Sequence, residues 1–165
     1  MNILQPLPLT AEAFASFGEV IQCEDAYHFP INGGTTERFH DLARIEPGPD
    51  GRIIVSIFRG QPHDFPLAIR MVERHALSSQ AFIPLQCKPY MVVVAEYEPG
   101  AERPGRLHAF VARGNQGVNY RPGVWHHPLI AVGEVSDFLV IDRQGNSPDC
   151  KEFSLPESVL LDFSL

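Results

Sequence analysis

From Arg52 onward the hydrophobic pattern of this chain falls into short β-rich runs cut by turn residues. Such runs mark β-strands. Strands are predicted at 52–58, 67–75, 79–85, 90–97, 106–112, 116–120, 124–132 and 136–142. Breakers lie between most of them, at Gly60-Gln61-Pro62, Pro99-Gly100, Arg103-Pro104-Gly105, Gly114-Asn115 and Pro122-Gly123. Short strands at this spacing predict a mainly β fold, an antiparallel sandwich or small barrel. Near the start the period changes. Thr10 can cap a helix filled by Ala11 to Phe17 and stopped by Gly18, with Phe14 and Phe17 on one face. The stretch from Ala26 to Pro49 is rich in Gly, Thr, Asn and Pro and is expected to be ordered but irregular. The residues from Phe153 to Leu165 are apolar enough to dock on a neighbour or a partner subunit. No internal repeat or linker divides residues 1–165, so one domain is expected.

Composition narrows the function. Lys and Arg number 13 against 20 Asp and Glu, a net charge of −7. No basic run is present, which argues against a nucleic-acid binder. The longest apolar runs are far too short to span a bilayer, and MNILQPLPL lacks the features of a signal peptide. Cys23, Cys87 and Cys150 show no CxxC spacing. A reduced, cytoplasmic, membrane-free protein is expected. The Gly-rich phosphate loops and the GxSxG elbow are absent. Ser78 and Ser79 have no elbow-like context, and His28, His63 and His108 are scattered.

Two segments carry candidate chemistry. In 67–75, Leu67, Ile69, Met71, Glu73 and His75 share one strand face, so two titratable groups end an apolar stripe. Gln80 and Phe82 follow on one face of the next strand. Read alone, this is also what an ordinary strand end looks like. The second segment is GVNYRPGVWHHP, Gly117 to Pro128. Its Pro-Gly turn delivers His126 toward the interior, and alternation sends Trp125 and His127 to the other face. By itself His126 reads as a hydrogen-bonded core histidine; with the first segment it reads as half of a site.

The pair resembles the two half-motifs of the cupin superfamily, here E-R-H-x4-Q (Glu73, His75, Gln80) and P-G-x-x-H (Pro122, Gly123, His126). Glu73 stands where a histidine is usual and Gln80 where a glutamate is. A neutral amide is a weak ligand for a transition metal. The residues therefore require no metal; one that did bind would be held by His75, Gln80, His126 and Glu73.

A narrower resemblance rests on NGGTTERFHDLA (Asn32–Ala43), VSIFRGQP (Val55–Pro62), MVERHALSSQAFIPL (Met71–Leu85), GVNYRPGVWHHPL (Gly117–Leu129) and DFLVIDR (Asp137–Arg143). These blocks, in this order, are similar to the ureidoglycolate lyase family, formerly called ureidoglycolate hydrolases. The resemblance implies a cupin-like antiparallel β-barrel, a homodimer, and cleavage of (S)-ureidoglycolate to glyoxylate and urea in allantoin degradation. It also implies a divalent metal such as nickel in some members. Lyase chemistry needs a base, an acid and a clamp for the substrate carboxylate. His75, His126 and Glu73 are the candidates for proton transfer. Gln80 is the candidate for the ureido group, Arg59 or Arg38 for the carboxylate, and Phe82, Tyr90 and Trp125 for apolar walls. The polar block Asn32–Ala43 is expected to be a lid or a dimer interface. Two alternatives stay open: an amidohydrolase releasing ammonia and carbon dioxide, and a non-catalytic cupin that binds a small organic acid.

Overall fold

The computed structural model describes residues 2–98 and 101–164. The Pro99-Gly100 breaker and Leu165 lie outside the described residues. The fold is mainly β, 52% strand and 4% helix, with a sheet curled into a half-barrel. In chain order the elements are β1 (Ile3–Leu4), β2 (Leu7–Pro8), α1 (Ala11–Phe14), β3 (Gly18–Ile21), β4 (His28–Ile31), β5 (Thr36–Phe39), β6 (Arg52–Gly60) and β7 (Pro62–His63). Then come β8 (Leu67–His75), β9 (Gln80–Pro84), β10 (Tyr90–Ala95), β11 (Leu107–Ala112), β12 (Gly117–Tyr120), β13 (Trp125–His126), β14 (Ile130–Val132), β15 (Ser136–Gln144) and β16 (Cys150–Leu161).

Two sheets face each other. One runs β1-β16-β8-β13-β10-β11-β2, with β14 and β7 attached through β10; the other runs β3-β12-β9-β15-β6. Between them lies a core of Phe14, Phe17, Phe82, Tyr90, Val92, Val94, Phe110, Val118, Tyr120, Phe138 and Val140. A second cluster, Ile69, Met91, Val93, Ile130 and Leu161, backs the first sheet. The stripe on β8 is therefore shared. Ile69 is in the second cluster with Leu67 packed on it, while Glu73 pairs with His126 on β13.

Several expectations change. The helix is a single turn, capped by Thr10, whose hydroxyl accepts from the Ala13 amide at 3.1 Å. Phe14 and Phe17 nonetheless both enter the core. Gly18 does not stop a helix but opens β3, and a Cβ there would lie 1.8 Å from the Asn119 carbonyl oxygen. The 124–132 run is broken into β13 and β14 at His127-Pro128-Leu129. Part of the irregular 26–49 stretch is a two-stranded hairpin, β4–β5, whose residues are exposed or half-buried. The C-terminal segment docks on its own sheet: β16 pairs antiparallel with β8 over most of its length. Its ladder shifts register between Ser154 and Val159, around Pro156, which cannot donate to a ladder.

Candidate active site

The two half-motifs meet through the backbone before their side chains do. Gly123, at φ +85° in the Pro-Gly turn, donates its amide to the His75 carbonyl at 2.8 Å. His126 on β13 is the register partner of Glu73 on β8. Asp149 ties down the turn after His75, accepting from the Leu77 amide at 2.5 Å and from the Ser78 hydroxyl. That turn delivers Gln80 at the start of β9. Ser78 and Ser79 are structural: the Ser79 hydroxyl accepts from the Glu46 amide at 2.8 Å.

Glu73, His75, Gln80 and His126 converge. Ligand atoms of Glu73, His75 and His126 lie within 4.8 Å of one another. The His126 ring is 5.6 Å from that of His75 and stacks flat on Tyr120, at 4.1 Å and 8°. Its Nε2 is 3.6 Å from Glu73 Oε1 and 3.2 Å from Gln80 Oε1, and its Nδ1 is 3.0 Å from the Val124 carbonyl. Gln80 Nε2 donates to Asp142 Oδ2 at 3.2 Å. Because a carboxylate only accepts, this bond turns the Gln80 carbonyl toward His126. Both His126 nitrogens then face oxygen acceptors, and the Glu73 carboxylate lies beside the ring.

The titrations separate. Bonding to His126 holds the Glu73 carboxyl below its usual range, against the opposing effect of burial. Burial, followed by the neighbouring His126 charge, pushes His75 below the ordinary histidine value. Burial and the Glu73 charge push the Tyr120 phenol up, so it stays protonated. The Cys150 thiol, 3.8 Å from Glu73 Oε2, is also raised, chiefly by burial.

The remaining expected residues lie elsewhere. Phe82 is in the core, edge-on to Tyr120 at 6.0 Å and next to the site. Tyr90 is buried and donates its hydroxyl to the Gln116 carbonyl at 2.9 Å. Trp125 packs on the opposite face of the sheet with Val72 and Ala95, under the Arg74 guanidinium at 4.6 Å, and so does not wall the site. Arg59, on the outer face of β6, is paired with Asp137 at 2.8 Å. Arg38 lies over Phe29 on the exposed hairpin at 5.9 Å. Neither arginine touches the four converging residues. His127 bonds the Pro128 carbonyl through Nδ1 at 2.8 Å and borders a small inner cavity with Phe82, Tyr90 and Tyr120. An open cavity of about 850 Å³ is lined by Thr10, Gln22, Tyr27, His40, Arg113 and Gln116 among others, and by none of the four.

Tyr120, Asp142 and Cys150 complete the surroundings and were not among the expected residues. Asp142 had a visible signal: it ends the inward row Phe138, Val140, Asp142 as Glu73 and His75 end theirs.

The family model described as ureidoglycolate lyase matches residues 1–162. The chain belongs to the ureidoglycolate lyase family. The ureidoglycolate lyase of Rhizobium leguminosarum bv. trifolii is 57% identical over 88% of this chain and 87% of its own. That of Burkholderia mallei is 54% identical over 98% of this chain and 94% of its own. Among solved structures, a dTDP sugar isomerase from Desulfovibrio desulfuricans superposes with TM-score 0.47 at 15% identity, covering 86% of this chain and 83% of that one.

Proposed function

We propose that this chain is a ureidoglycolate lyase, splitting (S)-ureidoglycolate into glyoxylate and urea in allantoin degradation. The observation that carries the reading is the convergence of Glu73, His75, Gln80 and His126 in a chain matched end to end by that family. Ureidoglycolate bears its hydroxyl and its ureido nitrogen on one carbon. Cleavage takes the hydroxyl proton, forms the aldehyde carbonyl and places the C–N electron pair on nitrogen, which must gain a proton. Neutral His75 is the base for the hydroxyl. His126, whose Nε2 faces Glu73 and Gln80, is the acid for the departing nitrogen, and Glu73 orients it. The Gln80 carbonyl is placed to accept from a ureido N–H.

The same donors suit a divalent cation. Nδ1–H of His126 is fixed on the Val124 carbonyl and Nε2 turns into the cluster, the usual outer bonding of a metal-ligating histidine. Glu73, His75, His126 and the Gln80 oxygen would hold it, where it would polarise the substrate hydroxyl.

The working form is proposed to be a cytoplasmic homodimer. Ile53, Val55 and Ile57 alternate on the outer face of edge strand β6, at 45%, 63% and 63% exposure, beside Leu139, Ile83 and Leu85. A contiguous exposed apolar sheet face suits a second copy. The deciding experiment is product analysis with synthetic (S)-ureidoglycolate. One glyoxylate and one urea per turnover are expected; ammonia in place of urea would make the enzyme an amidohydrolase, and no turnover would leave a binding protein.

A further inference from the structure

Beyond the histidines, the interior ends of β9 and β15 bring together an amide and a carboxylate. The ladder pairs Ile141 with Ala81, which sets Asp142 beside Gln80. Gln80 is 5% exposed, and its two ends point in different directions. Nε2 donates to Asp142 Oδ2 at 3.2 Å, and Oε1 faces His126 Nε2 at 3.2 Å. A primary amide has nearly the same shape in both orientations but opposite hydrogen-bonding character at its ends. Shape alone therefore cannot decide which end meets the substrate. Asp142 can, because an ionised carboxylate has no proton to give to an amide oxygen. Its second oxygen, Oδ1, is buried without a partner among the described residues, so Gln80 is the group that its side chain engages.

We propose that Asp142 is a positioning residue: it fixes the Gln80 amide with its carbonyl toward the catalytic cluster. This deepens the lyase reading and rests on it. With the carbonyl inward, the site presents an acceptor beside His126, which suits substrates rich in N–H donors such as ureido acids. With the amide reversed, NH2 would face the ureido N–H, donor against donor.

A swap of the two chemistries tests the assignment. In Asp142→Asn, the new amide can face Gln80 with either end, so selection is lost; kcat/KM for ureidoglycolate is expected to fall about tenfold, the size of one net hydrogen bond. Gln80→Glu sets two carboxylates against each other and should lose more. Adding Asp142→Asn to Gln80→Glu lets the new amide NH2 donate to the carboxylate introduced at position 80, and activity should rise above that of the single Gln80→Glu variant. One substitution thus lowers activity in one background and raises it in the other, which a packing role would not produce. The same direction in both backgrounds, or an Asp142→Asn variant equal to wild type, overturns the proposal.

A second measurement needs no variant. In 15N-labelled wild-type protein, nuclear Overhauser contacts from the Gln80 NH2 protons should reach the Asp142 methylene. Dominant contacts to the His126 ring proton Hε1 would show the opposite orientation and overturn the proposal. A wild-type enzyme that releases no glyoxylate would sink the lyase reading, while the Overhauser contacts would still judge the orientation by themselves.

Discussion

His75 and His126 lie 5.6 Å apart, ring to ring, yet their surroundings differ. His126 has a carbonyl at each ring nitrogen and a carboxylate beside it; His75 is desolvated beside His126, which holds it below the ordinary histidine value. Replacing either by alanine should lower turnover by about 10²–10⁴ with the fold retained, the usual cost of losing a proton-transfer group. His127→Ala should cost much less, since its ring bonds its own loop rather than the cluster. Steady-state rates beside circular dichroism spectra check all of these. The base must be unprotonated to act, so kcat/KM should rise with pH along a limb set by His75. Its lowered value places that limb below the ordinary histidine pKa, and a limb at or above that value would assign the base elsewhere. Stability carries the same sign. His75 binds its proton more readily when unfolded, so folding weakens as pH falls below the unfolded histidine value. The contribution of Glu73 is present above the unfolded carboxyl value and lost as pH falls through its depressed folded value. Thermal melts should therefore fall steadily toward acid. Because the ligand set contains an amide where a carboxylate is usual, prolonged chelation should leave substantial turnover. Complete loss of glyoxylate release, restored by a single added cation, would contradict that expectation.

At the scale of elements, legibility followed the contrast between the two faces of each strand. β8 alternates where Glu73 and His75 lie, and Gln80 is the one polar residue opening the apolar β9, so those positions could be read from the sequence. β6 is apolar on both faces, with half-buried Ile54 and partly exposed Phe58, edge-on to Phe82, on one and Ile53, Val55 and Ile57 on the other. Alternation could not orient it, and so could not show that Arg59 points away from the site. β16 carries Lys151, Glu152, Pro156 and Glu157, and its register shift interrupts the period, so a twelve-residue strand resembled a loose tail. β3 was hidden behind Gly18, since a glycine after a short helical run is more commonly a helix stop. In the fold that glycine instead permits a close approach: the β12 backbone comes so near that a Cβ would meet the Asn119 carbonyl at 1.8 Å. Gly18→Ala should therefore pry β3 from β12 and destabilise the fold by about 1–3 kcal/mol or more, the cost of overpacking. Calorimetric melting of wild type and variant measures it; an unchanged Tm would mean that this edge of the sheet yields freely.

The molecule as a whole leaves two features outside its own core: the β4–β5 hairpin and the outer face of the β6 edge. The sequence pattern suggests a lid or a dimer contact for the hairpin block, and its side chains are exposed or half-buried, with the neighbouring Tyr27 at 70%. The β6 face is the better candidate for a stable interface. Its aliphatic side chains continue across the ladder in the row Ile57, Leu139, Ile83. An edge strand with exposed branched residues also invites unwanted pairing unless it is covered. A second copy related by a twofold axis would bury the row on both chains at once, an isologous contact that closes on itself. Charge placed in the middle of such a patch must be desolvated twice, once per chain. Val55→Glu combined with Ile57→Glu should accordingly convert a dimer to a monomer while leaving Glu73, His75, Gln80 and His126, all directed away from this face, in place. Sedimentation velocity on wild type and variant gives the mass, and circular dichroism confirms the fold. A variant that remains dimeric would move the interface to the hairpin, where deletion of residues 28–39 should then produce the monomer.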